Sequence, residues 1–194
     1  MTTENEYHTS TTWKNENMEE EKNINSINMK NQECYDKNGK FLGRFSRSMA
    51  TAVFVFAKDK ENEWCVLGSE RGEEAADYQG YWNCPCGYLE FDVTAAENAC
   101  KELKEETGVS LKESDLEFFG YNDSPKENRQ NVTFRFFAFI KNKKAEDFKF
   151  SHAGNEGKEV GLIKFIKVQD IKGYKWAFDH DKRITEIFKE HRPR

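Results

Sequence analysis

Three glutamates, Glu102, Glu105 and Glu106, crowd one short stretch of the chain. At about 100° per residue they share one sector of a helix roughly 100° wide. Beside that acidic edge, Ala96, Ala99, Cys100, Leu103 and Thr107 form an apolar stripe suited to face a core. Like charges at i and i+4 repel, and near a helix C-terminus they also oppose the helix dipole, which Lys101 and Lys104 offset only in part. A solvated acidic face is one reading of this edge. The other is a site for a hard divalent cation, because Mg²⁺ and Mn²⁺ take clustered carboxylate oxygens as ligands.

The element that must carry these residues is well marked. Thr94 and Glu97 have capping-box spacing, and Gly108 stands where a left-handed helix stop is expected, so the sequence predicts a helix from Ala95 to Thr107. Ala50 to Ala57 is an apolar, β-rich run that suits a central strand buried on both faces. Further strands are expected at Trp64–Leu67, at a short segment around Trp82 interrupted by Pro85, and at Leu116–Tyr121, Val132–Ile140 and Leu162–Phe165. Residues 71–80 are small, acidic and bounded by glycine, and read as a loop. A last helix runs from about Asp179 to His191, with Asp179 as N-cap. The alternation of strands and helices points to a mixed α/β layered domain over residues 41–194. Residues 1–40 are dominated by Asn, Glu, Thr and Lys without sustained periodicity, which predicts a mobile N-terminal tail.

The run from Gly87 through Glu102, Leu103, Glu105, Glu106 and Gly108 to Val109 resembles the Nudix box, G-x5-E-x7-R-E-U-x-E-E-x-G-U, U being a bulky aliphatic residue. Seven of its nine defined positions fall in register; Val93 stands in place of the first Glu, and Lys101 in place of the Arg. Trp82-Asn-Cys-Pro-Cys-Gly87 is similar to the family's approach to the box, with Cys86 replacing a glycine.

The resemblance implies a Nudix-type α/β/α sandwich with a mixed sheet. It also implies metal-dependent hydrolysis of a phosphoanhydride bond in a nucleoside diphosphate linked to another moiety, whether a nucleotide sugar, an ADP-ribose-like compound or a nucleoside triphosphate. By the same resemblance, Glu102, Glu105 and Glu106 hold Mg²⁺ (or Mn²⁺), the Cys86 carbonyl adds a ligand, and Glu105 or Glu106 serves as base. Glu156 and Glu159 lie in a late loop from which some members recruit another acid; solvated loop acids are the alternative. Lys101 keeps the charge of the family's Arg but loses its planar fork, while Glu90 and Asp92 are the acids nearest Val93. The resemblance carries a homodimer with it, on which composition is silent.

Other residues are weighed individually. Arg71 closes the second strand, where a basic residue faces phosphate in similar proteins and where a surface ion pair is equally ordinary. Arg129, Gln130 and Asn131 sit in a polar loop that enters a strand, and are candidates for base, ribose or phosphate contacts. Tyr88 and Phe91 stack on a base or pack locally; His180 contacts substrate or belongs to the helix start. Cys84 and Cys86 flank one proline without a second pair at zinc spacing, so small buried thiols are expected.

Composition removes several classes. Over 194 residues, 35 acids against 30 bases give a net charge of −5, which disfavours an extended nucleic-acid surface. No apolar run is long enough to span a bilayer, and the amino terminus lacks the basic start and apolar stretch of a signal peptide. Five cysteines without framework spacing suit reduced thiols and a cytoplasmic location. The expected partner is a small nucleotide-type diphosphate. A binding or sensing module without turnover is the competing function, and isomerase chemistry on an allylic diphosphate a third.

Overall fold

A computed structural model describes residues 32–193 except Arg129 and residues 152–157. The chain divides into two compact units, Met1–Ser46 and Arg47–Arg194. In the first, β1 (Gln32–Tyr35) and β2 (Phe41–Phe45) pair antiparallel across a turn in which Asp36 Oδ1 accepts the Asn38 and Lys40 amides at 2.8 Å. Among the described residues, strand pairing is present from Gln32, within the stretch expected as tail; residues 1–31 of that stretch lie outside the described residues.

The second unit is built around β3 (Ser48–Lys58), whose residues from Ala50 to Ala57 are all buried. Alternation along this strand serves two cores. Val53 and Val55 pack with Ala99 and Leu103 of α1 (Ala95–Thr107), whereas Ala52, Phe54 and Phe56 pack with Ile184 and Ile187 of α2 (His180–His191). Each buried Val, Leu, Ile or Phe among them is worth about 1.5–3 kcal/mol. A sheet between two helix-covered faces results, the α/β/α layering expected.

β4 (Trp64–Arg71), β5 (Trp82–Asn83), β6 (Cys86–Tyr88), β7 (Glu117–Asn122), β8 (Asn131–Lys144) and β9 (Val160–Lys167) complete the sheet. The order is β5-β4-β3-β8-β7, with β6 paired to β3 and β9 to β4. β3 and β8 run parallel and the other strand pairs of this sheet are antiparallel, so the sheet is mixed. Pairing extends several strands beyond the sequence expectation, most of all β8, because the neighbouring strand supplies hydrogen bonds past the apolar run.

α1 forms as expected at both ends. The Thr94 hydroxyl accepts the Glu97 amide at 3.1 Å, Glu97 Oε2 accepts the Thr94 amide at 2.7 Å, and Gly108 (φ 75°) donates to the Lys104 carbonyl at 2.8 Å. Its buried side is wider than the apolar stripe, since Asn98 and Glu106 join Ala99, Leu103 and Thr107.

The start of α2 departs from expectation. Asp179 occupies the N-cap position with φ 56°, in the left-handed region, and its side chain caps nothing; it pairs instead with Lys182 at 2.7 Å. A capping side chain needs an extended backbone at that position. Phe178 is left-handed too (φ 57°). Two such residues in succession cost on the order of 1–2 kcal/mol each. They are held by β5: Trp82 donates to the Lys175 carbonyl and accepts from the Ala177 amide, both at 2.8 Å.

Candidate functional site

The leading ends of β3, β6 and β8, the close of β4, the second half of α1 and the first residues of α2 converge on one cleft of about 710 Å³. Glu102 and Glu106 line it from α1. Gly87 on β6 is required there: a Cβ at this position would collide with the Glu102 carboxylate, so the glycine leaves the recess that the carboxylate fills. Glu106 is only 7% exposed, and its Oε1 lies 3.4 Å from the Cys86 amide nitrogen, which donates to it. Glu105 does not line the cleft; it sits on the rim of the helix, 3.7 Å from Lys101.

Lys101 also binds Glu90, which lies in the loop before α1. Of the two acids nearest Val93 in the sequence, Glu90 is the one that pairs with Lys101. The hydrogen bond that Lys101 donates to Glu90, opposed by burial and followed by the charge of Glu105, raises the Lys101 pKa. Asn98, fully buried, fixes this corner: its Nδ2 donates to Thr51 Oγ1 of β3 at 2.9 Å, and its Oδ1 accepts the Glu90 amide at 3.2 Å.

Cys86 is half-buried at the cleft and Cys84 fully buried behind it. Burial, and then the Glu106 carboxylate, pushes the Cys86 thiol up to about 12; burial also holds Cys84 well above the ordinary thiol range. Both are therefore neutral small side chains rather than thiolate nucleophiles.

Of the other expected residues, Arg71 lines the cleft, where its guanidinium pairs with Asp77 at 2.6 Å and lies over the Phe178 ring. Glu159 lines it as an exposed side chain at the start of β9. Asn131 lines it at the start of β8, with a buried Oδ1 that has no hydrogen-bond partner among the described residues. Gln130 does not line the cleft; its Nε2 donates to Ser48 Oγ at 3.0 Å. Arg129 and Glu156 lie outside the described residues. Tyr88 lines the cleft while remaining largely exposed, and Phe91 is fully exposed, so neither packs locally.

Three contributors escaped the sequence reading. Arg135 projects from β8 into the cleft; its only signal was a lone charge within an apolar strand. Asn83, buried on β5, donates to Cys86 Sγ at 3.5 Å. Arg47 holds the loop beneath Asn131, donating to the Asp123, Asn128 and Asn131 carbonyls at 2.7, 2.8 and 2.6 Å.

The donors Glu102 and Glu106 are hard oxygens, the chemistry that Mg²⁺ and Mn²⁺ select. Among the described residues, no three His, Cys, Asp or Glu side chains are grouped closely enough to hold a metal by themselves. Two carboxylates nonetheless fit Mg²⁺, which is commonly held by one or two carboxylates with substrate phosphates and water completing the shell.

An α/β/α sandwich with a carboxylate-bearing helix at the cleft defines a class, and the comparison with known families is specific about it. Residues 47–187 match the NUDIX domain model, and the chain belongs to that family. Among solved structures, it is similar to the NUDIX domain of Shewanella oneidensis NrtR complexed with ADP ribose, at 17% identity and a TM-score of 0.61 over 75% of this chain and 88% of that one. A MutT/nudix family protein from Enterococcus faecalis gives 20% identity and a TM-score of 0.58 over 77% of this chain and 66% of that one. A bifunctional NMN adenylyltransferase/ADP ribose pyrophosphatase from Francisella tularensis, complexed with AMP and a Mn ion, gives 20% and 0.58, over 75% of this chain and 42% of that longer one. At these identities the likeness establishes the shared fold. No curated protein sequence matches the chain. Among the described residues, no helix is long and apolar enough to cross a membrane.

Proposed function

We propose that this chain is a divalent-metal-dependent pyrophosphohydrolase that cleaves a phosphoanhydride bond in a nucleoside diphosphate linked to another moiety. The observation that carries the reading is the pair Glu102 and Glu106, set on one helix edge at the cleft with Glu102 seated in the recess left by Gly87. Glu102 and Glu106 would hold Mg²⁺ or Mn²⁺, with the Cys86 carbonyl as a further candidate ligand. When bound, the ion neutralises phosphate oxygens and lowers the pKa of a nearby water.

The chain's own residues do the rest. Glu106 reaches the cleft and receives the Cys86 amide, so it is better placed than Glu105 to accept a proton from the attacking water. Glu159, which also lines the cleft, is the second candidate. Arg71, oriented by Asp77, supplies a cation toward the phosphates. Relatives of this fold are described with ADP ribose or AMP bound, which supports a small nucleotide-type ligand.

The test is a panel of ADP-ribose, sugar nucleotides, dinucleoside polyphosphates and nucleoside triphosphates, incubated with Mg²⁺ or Mn²⁺ and assayed for released phosphate or nucleotide. Turnover that EDTA abolishes and Glu106→Gln removes supports the hydrolase. Glu105, held outside the cleft by Lys101, favours a second reading, a binding module without turnover. That reading is supported by ligand binding with no release across the whole panel.

A further inference from the structure

The cleft is lined by two chemically different groups: the carboxylates Glu102 and Glu106 from α1, and Arg135 and His180 from β8 and the start of α2. Resting on the proposed hydrolase reading, the geometry points to Arg135 and His180 as a donor-only subsite that binds a phosphate group of the substrate in the cleft that Glu102 and Glu106 also line.

Arg135 is half-buried, and its side chain makes no hydrogen bond or ion pair with any described residue. The acids around it are committed elsewhere: Asp179 to Lys182 at 2.7 Å, Glu186 to Arg183 at 2.6 Å, and Glu127 to Asn122 at 2.9 Å and Arg183 at 3.8 Å. Asp77 belongs to Arg71. Burial, and then the neighbouring Arg183, lowers the Arg135 pKa against the opposing charges of Glu127, Glu186 and Asp179. A guanidinium so placed has its planar fork available to an oxyanion in the cleft.

His180 adds a donor of defined tautomer. It is 5% exposed, and its Nδ1 accepts the buried Cys84 amide at 2.9 Å. A nitrogen that accepts a backbone N–H carries no proton, so a neutral imidazole here is protonated at Nε2. Phe54 packs edge-on against the ring and Phe178 lies tilted beside it, at centroid distances of 5.3 and 5.6 Å. Nε2 donates to no described acceptor, and the residue lines the cleft. The two residues before it, Phe178 and Asp179, both hold left-handed backbone conformations. A neutral N–H and an unpaired guanidinium both donate and neither accepts, so the pair discriminates for an oxygen-rich anion and against an uncharged sugar or base.

The experiment measures binding without metal, so that it stands apart from turnover. Inorganic pyrophosphate and ADP are titrated in EDTA against the full chain, with adenosine as the uncharged probe, by calorimetry or by the fluorescence of Trp176, which lines the same cleft. The wild type is expected to bind both anions. Arg135→Gln should weaken that binding at least tenfold. His180→Asn, which keeps an acceptor near the Cys84 amide but removes the Nε2 donor, should weaken it several-fold. Arg135→Lys should restore part of the loss, and Lys189→Gln, on the exposed side of α2, should change nothing. Circular dichroism confirms that each variant is folded; if Arg135→Gln is not, Arg135→Lys and His180→Asn carry the test. Wild-type failure to bind either anion, adenosine binding as tightly as ADP, or variants that bind like the wild type overturn the subsite. Anion binding without turnover in Mg²⁺ would instead remove the hydrolase reading and leave the subsite standing.

Discussion

The Glu102 carboxylate occupies the space that a side chain at Gly87 would fill. The glycine is on β6 and the glutamate fifteen residues further along the chain on α1, so the recess exists only once helix and sheet have packed. Gly87→Ala should therefore displace the carboxylate while leaving both helix caps and the core intact. The expected outcome is a roughly 10–100-fold loss of Mn²⁺ affinity, the range for disturbing a ligand's support, with an unchanged circular dichroism spectrum. Titration of Mn²⁺ by electron paramagnetic resonance checks it; unaltered affinity would separate Gly87 from metal binding.

The three helix glutamates should not be equivalent. Glu102 and Glu106 line the cleft, while Glu105 faces Lys101 at the rim. Replacing either of the first two by Gln should cost about a hundredfold or more in turnover, since a lost metal contact removes several kcal/mol and each 1.36 kcal/mol is a factor of ten. Glu105→Gln should cost about tenfold or less, the scale of a supporting contact rather than a ligand. Equal losses at all three positions would mean that Glu105 leaves Lys101 and enters the cleft when metal and substrate bind.

What could be read from the chain beforehand follows the range of the interactions. The ends of α1 are set by contacts three or four residues apart, between Thr94 and Glu97 and between Gly108 and Lys104, and local spacing was enough to place them. β3 was legible because burial on both faces writes an unbroken apolar run. The acidic edge of α1 followed from helical periodicity, although that could not show Glu106 turning inward beside Cys86 and Glu105 outward. Arg135 was missed because its place beside Ala52 depends on parallel pairing of β3 with β8. The Glu90–Lys101 pair and the Asn98–Thr51 bond likewise need the loop, helix and strand assembled before they exist. Asp179 has the composition of an N-cap, but the tether of residues 175–177 to Trp82 overrode the local preference.

Arg47 should control the loop between β7 and β8 without entering the cleft. Its guanidinium ties together the carbonyls of Asp123, Asn128 and Asn131, while Asn122, Glu127, Asn128 and Asn131 line the cleft. Hydrogen bonds to a charged donor are worth about 1.5–3 kcal/mol each at most, so Arg47→Ala should lower stability by about 2 kcal/mol. Hydrogen exchange should accelerate in residues 123–131, and KM should rise more than kcat falls. Lysine, with a point charge in place of a fork, should rescue only part of the effect. Loop protection equal to that of the wild type in Arg47→Ala would refute the tether.

His180 makes stability depend on pH in a window set by its two protonation equilibria. Burial, followed by the positive charges of Arg135, Arg71 and Arg183 and opposed by Asp179, lowers its pKa from 6.5 to about 3. Between those values the unfolded chain takes up a proton that the native protein refuses, so the contribution to stability is complete above 6.5 and is lost as pH falls toward 3. Urea unfolding should give about 1.4 kcal/mol less stability at pH 5.5 than at pH 7.5 from this group, a window above the main titration of the carboxylates. His180→Asn, which cannot titrate, should flatten that part of the profile. Parallel profiles for the two proteins would mean that His180 gains its proton in the folded state, and the acceptor role of Nδ1 toward Cys84 would fall with it.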